Sequence, residues 1–253
     1  MKHEIWRLLF AESQDGSEAM ALDDHLLHAI RPGEEPILHI WRWDRPAISI
    51  GYGQSLDSAL LNRIEAAGLP VVRRPTGGKA VLHGTDISYA CVVPRPYRDW
   101  DEGSGPPYEF VARAVASALR RSGLPCGPPS ESMRAELSGN GVSCGAEIYP
   151  HELAAAGGKV LGSAQKRVRT GILVQGTISP LGPAELASLF DPGSATAGAP
   201  SPLNLQQVVD AFRREHSIRF EPLALGRGAT RSIAKLVVER YRSGDSPRQL
   251  LKE

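Results

Sequence analysis

Apolar residues in the first half of the chain fall into short β-like runs separated by stretches of helical period. Leu8-Leu9-Phe10 predicts a strand, and Glu18 to Ile30 sets Met20, Leu22, Leu26, Leu27 and Ile30 at helical spacing among charges. Ile37 to Trp41 and Ala47 to Ile50 flank the turn-like Trp43-Asp44-Arg45-Pro46 and predict a hairpin. A second helix is expected over Leu56 to Ala67, with Gly68 as its C-terminal cap. Val71-Val72-Arg73 predicts a strand that runs into the loop Arg74-Pro75-Thr76-Gly77-Gly78. Two more β-rich stretches follow around His83-Gly84 between Lys79 and Val93. Pro94 to Pro107 reads as an exposed connector, and Tyr108 to Arg121 as a helix stopped by Gly123.

Further along, Leu124 to Asn140 has little periodicity, whereas Val142 to Leu153, Lys159 to Lys166 and Gly171 to Ile178 predict strands of a second sheet or a sheet extension. Beyond Pro180 the pattern turns helical over Pro183 to Phe190, Leu203 to His216 and Thr230 to Tyr241, with a small-residue linker at Asp191 to Pro202. The expected fold class is therefore α+β: a mixed, largely antiparallel sheet flanked by helices, followed by a helical C-terminal tail. At 253 residues the chain suits one large domain, or one domain with a short appendage.

Composition narrows the function classes. A content of 42% hydrophobic and 23% charged residues is that of an ordinary globular protein, and a formal charge of +1 offers no field for nucleic acid or an anionic membrane. No run approaches the ~20 apolar residues that a bilayer span requires. Three scattered cysteines make neither a disulfide framework nor a four-ligand zinc site, so a reducing, cytoplasmic setting is expected. His25 and His28 lie one helical turn apart without a third ligand at suitable spacing, and no metal is expected.

Three segments carry chemistry. The first is Arg73-Arg74-Pro75-Thr76-Gly77-Gly78-Lys79-Ala80-Val81-Leu82-His83-Gly84. Its arginines provide fixed positive charge, its glycines let backbone N–H groups approach a ligand, and His83 can donate, accept or titrate. Both an acyl or carboxylate cradle and a tight hairpin with exposed arginines fit this spacing. It is not a phosphate-binding P-loop, because Arg73 stands where a glycine is needed and Ala80 where Ser or Thr is needed. The second segment runs from Gly157 to Arg167 and sets Lys159 on a strand beside Gly162-Ser163-Ala164, small residues that leave space for a slender ligand. Such a lysine acts on a carbonyl or stands solvated at the surface. The third is Cys144 within Gly141-Val142-Ser143-Cys144-Gly145, an accessible nucleophile or a small buried hydrophobe. Cys91, inside an apolar strand, suits the second role; Cys126 has no evident one. Lys166, Arg167 and Arg169 form a basic cluster that fits either an acidic carrier protein or a solvated strand edge.

Taken in order, these segments resemble the family of lipoate-protein ligases and octanoyltransferases, which share a catalytic fold with biotin protein ligases. The resemblance covers about Trp6 to Ile178 and also takes in Met20-Ala21-Leu22-Asp23, Ala47 to Gln54 and Glu152-Leu153. Cys144 precedes Gly162 by eighteen residues, the interval of the cysteine-dependent octanoyltransferases. ATP-dependent ligases lack that cysteine and usually carry a third glycine where this chain has Lys79. The resemblance implies a catalytic domain over 1–180, with 181–253 a helical extension packed on it. It implies that Cys144 takes octanoyl from acyl carrier protein and passes it to a lysine of a lipoyl domain, in the glycine cleavage H protein or a 2-oxoacid dehydrogenase E2. Cys144 and Lys159 are then catalytic, while Arg73, Arg74, Thr76, Gly77, Gly78, His83, Gly162, Ser163 and Ala164 bind substrate. No cofactor is implied, since a thioester donor is already activated. Two related chemistries compete: ATP-dependent lipoate ligation, and amidotransfer between lipoyl-bearing proteins. A silent acyl-binding module is the non-enzymatic alternative.

Overall fold

Asp15 separates the first strand from the first helix. Its carboxylate accepts from the backbone N–H groups of Ser17 and Glu18 at 2.9 and 3.2 Å, so β1 (Glu4–Gln14) gives way to α1 (Gly16–Ala29). The chain returns as β2 (Ile37–Trp43), parallel to β1, which makes a β-α-β crossover. This computed structural model describes residues 3–130, 151–155, 158–178 and 203–241.

Next come β3 (Ala47–Ile50), α2 (Ser58–Ala66), β4 (Val71–Arg73), β5 (Val81–His83), β6 (Ile87–Pro94) and α3 (Gly105–Arg121). The later elements are β7 (Leu153–Ala155), β8 (Gly158–Arg167), β9 (Gly171–Ile178), α4 (Leu205–His216), β10 (Ile218–Pro222) and α5 (Arg227–Leu236), closed by a π-helical turn at Val237–Tyr241. Seven strands form the main sheet in the order β10-β1-β2-β6-β9-β8-β7, and β4-β3-β5 form a small second sheet. Pairing is parallel among β10, β1 and β2 and antiparallel from β2 onward, so the α+β class and the largely antiparallel sheet hold.

Two expectations are corrected. The predicted hairpin of 37–41 with 47–50 does not form, because β2 already has β1 on one edge and β6 on the other. Asp44 to Pro46 instead carries the chain into the second sheet, where β3 pairs with β4 and β5. The C-terminal part is also not purely helical: Ile218-Arg219-Phe220 belongs to β10, which covers the outer edge of β1. Helix α3 starts before the expected Tyr108, with Pro106 and Pro107 in the first turn, where a missing N–H breaks no helical bond. The predicted segments 183–190 and 191–202 and most of 142–153 lie outside the described residues.

The main sheet is covered on both faces. Ile87, Tyr89, Cys91 and Val93 point to one side, onto Phe110, Val111 and Val115 of α3 and Val208 and Phe212 of α4. Ala90 and Val92 point to the other, onto Met20, Leu26 and Leu27 of α1. The small sheet has its own core against α2, built from Ile48, Ile50, Leu60 and Ile64. Helix α4 begins with a capping box, Asn204 and Gln207 exchanging side-chain-to-backbone bonds at 2.8 Å, and Ser217 ends it in the left-handed region at φ 53.

His216 closes that helix against α3. Its ring stacks on Phe110 at 3.6 Å, and Nε2–H donates to the Phe110 carbonyl oxygen at 2.9 Å. Burial brings its pKa down from the ordinary 6.5 to about 4, with Arg98 and Arg113 adding to the effect and the backbone bond opposing it. The folded pKa lies below the unfolded one, so the unfolded state binds the extra proton between them. Stability is full above pH 6.5 and declines as pH falls toward 4. With solvent screening at this half-buried site, about 1–2 kcal/mol is expected to be lost between pH 7.5 and 4.5. Urea denaturation of the protein and of His216→Phe at both pH values checks this, since the variant should lose that part of the decline.

Candidate functional site

The two sheets meet around a cavity of about 100 Å³. Met20, Trp41 and Trp43 form its inner wall and are almost fully buried. Gly78, Lys79, Ser163 and Ala164 lie at its more exposed rim. Between them the wall is polar by composition but tied off internally. Tyr89 Oη is 2.6 Å from Ser163 Oγ, and Trp43 Nε1–H donates to Ser88 Oγ at 2.9 Å. Burial pushes the Tyr89 phenol well above its ordinary pKa, so it stays neutral. Polar groups already paired with one another leave mainly carbon surface for a ligand. The space suits a slender apolar chain.

The arginine loop is held from both sheets. Arg74 donates from Nη2 to the carbonyl oxygens of Gly77 and Lys79, both at 2.7 Å, and from Nη1 to that of Ser49 at 3.2 Å. A planar guanidinium thus sets the curvature of the loop around it. Arg73 donates to the carbonyl oxygens of Gly51, Tyr52 and Gln54 at 2.9, 3.0 and 2.9 Å and clamps the neighbouring turn. On the other side, Thr76 Oγ1–H donates to Gln175 Oε1 at 2.8 Å, and Gln175 Nε2–H donates to Asp23 Oδ2 at 2.6 Å. Asp23 also lies 2.8 Å from His39 Nδ1, so a buried polar chain runs from the loop across the main sheet.

His83 sits at the far end of the loop segment. It donates from Nδ1 to Asp86 Oδ2 at 2.8 Å, its Nε2 lies 2.8 Å from Ser49 Oγ, and its ring stacks on Trp43 at 3.9 Å. Asp86 also accepts from the Gly84 N–H at 2.8 Å, which fixes the carboxylate and through it the imidazole.

Of the residues singled out in the sequence, Arg74, Gly78, His83, Gly162, Ser163 and Ala164 line the cavity. Arg73, Thr76 and Gly77 shape the loop from behind. Lys159 is buried and forms an ion pair with Glu152, Nζ to Oε1 2.6 Å. Cys144 lies outside the described residues. Cys91 is fully buried and Cys126 half-buried, and burial pushes both thiols up in pKa. Residue-by-residue reading passed over Ser49, Asp86, Tyr89 and Gln175. The His83–Asp86 spacing of three across a turn was a usable signal for one of them; the others reach the cavity only through strand pairing, as in the register of Tyr89 with Gly176 and of Gly176 with Ser163.

Comparison with known proteins gives a family. The family model described as the lipoyl protein ligase A/B catalytic domain matches residues 15–181. An octanoyltransferase LipM of Moorella thermoacetica is 34% identical over 180 residues, covering 70% of this chain and 66% of that relative. The match thus spans just under two thirds of that relative's length. A LipM of Halalkalibacterium halodurans is 27% identical over 270 residues, 96% of this chain and 98% of the relative. Among solved structures, protein Ta0514 of T. acidophilum, a lipoate protein ligase homologue with bound lipoic acid, superposes with a TM-score of 0.74 at 21% identity, covering 95% and 96% of the two chains. That likeness shows the fold.

Close approach of backbone leaves Gly51 no room for a side chain. A Cβ on Gly51 would stand 1.9 Å from the Gly78 carbonyl oxygen, whereas one on Gly53 meets nothing within 4 Å. Gly51→Ala is expected to displace the loop and lower stability by about 1–3 kcal/mol, and Gly53→Ala to stay within about 0.5 kcal/mol. Urea unfolding of the two variants side by side measures the difference.

Proposed function

The chain belongs to the lipoyl protein ligase A/B catalytic-domain family, and from that premise we propose that it is an octanoyltransferase. In this reading octanoyl passes from the phosphopantetheine thioester of acyl carrier protein to Cys144, and then to a lysine of a lipoyl domain in the glycine cleavage H protein or a 2-oxoacid dehydrogenase E2. The observation that carries it is the narrow cavity, whose polar groups bond to one another and whose inner wall is Met20, Trp41 and Trp43. An eight-carbon tail buried there gains roughly 5 kcal/mol at ~0.8 kcal/mol per CH₂.

Three further points favour thioester chemistry over adenylation. Relatives at 34% identity bear the name octanoyltransferase. Lys79 stands where a third loop glycine would open space. Burial pushes the thiols of Cys91 and Cys126 up in pKa, and in this reading the nucleophile is Cys144, eighteen residues before Gly162 as in the cysteine-dependent octanoyltransferases that the chain resembles. Attack of its thiolate on the donor carbonyl expels the carrier thiol; attack of the acceptor amine then releases Cys144 and forms the amide. Arg74 and His83 keep the loop and inner wall in shape rather than react. No ATP enters, because both steps start from a thioester.

Intact mass measurement after mixing with octanoyl-acyl carrier protein is expected to add one octanoyl group to the enzyme, and Cys144→Ala to abolish the adduct. A lipoyl domain added afterwards should become octanoylated without ATP. An adduct persisting in the variant, or product formed only with ATP and with pyrophosphate release, would overturn the assignment in favour of another nucleophile or of ligation.

A further inference from the structure

Tyr52 is 57% exposed, more than any other described aromatic side chain, yet the backbone beneath it is fixed. Its N–H donates to the Thr76 carbonyl oxygen at 2.8 Å, and its own carbonyl oxygen accepts from Arg73 at 3.0 Å. The preceding Gly51 packs against the carbonyl of Gly78, a residue of the cavity rim. From the main sheet, Lys166 sets its ammonium 5.2 Å from the centre of the Tyr52 ring. Lys166 follows the rim residue Ala164 by two positions on β8 and so shares its face of the strand. Neither Tyr52 nor Lys166 lines the cavity itself. The pair therefore stands beside the mouth, one member carried by each sheet.

An exposed ring on a preordered turn loses little freedom when a partner covers it, which is the property of an interface anchor. Charge selects the partner. Lys166 faces the buried carboxylate of Asp24 at 3.8 Å, but Arg240 meets the same carboxylate at 2.9 Å. Two cations share one anion, and positive charge is left over at the surface. Arg167, the next residue, turns away to the Gly103 carbonyl oxygen and to Gln165, so Lys166 is the member of the basic cluster that reaches Tyr52. An acidic protein surface is attracted there, whereas the ammonium of an acceptor lysine is repelled.

We propose that Tyr52 and Lys166 dock the acidic surface of the acyl carrier protein that delivers octanoyl, and that the lipoyl domain does not rest on them. The inference rests on the acyl-transfer reading above and deepens it by giving the donor a place. Seated on this pair, the carrier stands beside the mouth, and its flexible arm passes over Gly78 and Ala164 into the cavity. Ring contact supplies the affinity, and the ammonium supplies steering toward the acidic partner.

Donors of different size separate docking from chemistry. In Tyr52→Ala and in Lys166→Gln, kcat/KM for octanoyl-acyl carrier protein is expected to fall about tenfold. With octanoyl-pantetheine and octanoyl-phosphopantetheine, which bring no protein surface, it should stay within about twofold, as should kcat/KM for the lipoyl domain. Tyr52→Phe keeps the ring and should match the unsubstituted protein. Added salt should weaken use of the carrier protein less in Lys166→Gln than in the unsubstituted protein. Equal losses with carrier and pantetheine donors would mean that the pair shapes the cavity, and would overturn the proposal. So would a loss confined to the lipoyl domain, or no loss with any substrate. A Lys166→Gln loss as large with octanoyl-phosphopantetheine as with the carrier would assign the ammonium to the phosphate of the arm and overturn it too. Transfer by the unsubstituted protein from octanoyl-pantetheine but not from the carrier would defeat the docking surface while leaving acyl transfer standing. Failure to transfer from any of these thioesters would instead defeat the function reading itself.

Discussion

The hydrogen bond from Thr76 to Gln175 joins two sheets that each have a core of their own and share the cluster on α1, where Ala47 and Val72 of the small sheet pack with Trp41 and Ala90 of the large one. One sheet packs on α3 and α4, the other on α2, and the cavity exists only where the arginine loop of the small sheet is pinned to β9 of the large one. Gln175 is itself held by Asp23 of α1, and Asp23 by contact with His39 of β2. Each of these groups is buried, so each bond broken would leave an orphaned polar atom in a low-dielectric interior. A chain of such bonds is therefore a stiff link between the arginine loop and the main sheet beside the cavity.

Most of the charged and aromatic groups near the site serve that slot by shaping it. Arg74 and Arg73, which attract attention as ligands for an anion, direct donors to backbone carbonyls of the loop and the adjoining turn. His83 is fixed between Asp86 and Ser49 and stacked on Trp43, an arrangement that rigidifies the inner wall. The same economy appears at Gly51, where absence of a side chain lets the Gly78 carbonyl come close. The buried Glu152–Lys159 ion pair brings a carboxylate to the same cavity wall as the small residues Gly162, Ser163 and Ala164.

Much of this architecture was legible in the residue pattern. Most of the described strands and helices up to Ile178 follow from apolar spacing and from caps such as Gly68, at φ +63, because those signals act within a few residues. Ordered motifs around Arg73 to Gly84 and Lys159 to Gln165 pointed to the family, which the match over residues 15–181 bears out. Misreadings occurred where a partner far along the chain decided the outcome. Strand β3 left the hairpin because both edges of β2 were already paired, and β10 became a strand because β1 had an open edge to fill.

By itself the sequence determined local conformation and the inventory of reactive groups, including a cysteine at residue 144, a lysine at 159 and a glycine-rich loop after two arginines. Tertiary structure alone decided which groups face the cavity. Residues 152 and 159 lie on one hairpin, but only packing set the carboxylate at the wall and the ammonium behind it. Gln175, Tyr89 and Ser49 likewise gained their roles from register between strands distant in the chain. The physical reason is the range of the forces involved: backbone propensity is settled among near neighbours, whereas burial and pairing depend on whatever surface the rest of the fold brings opposite.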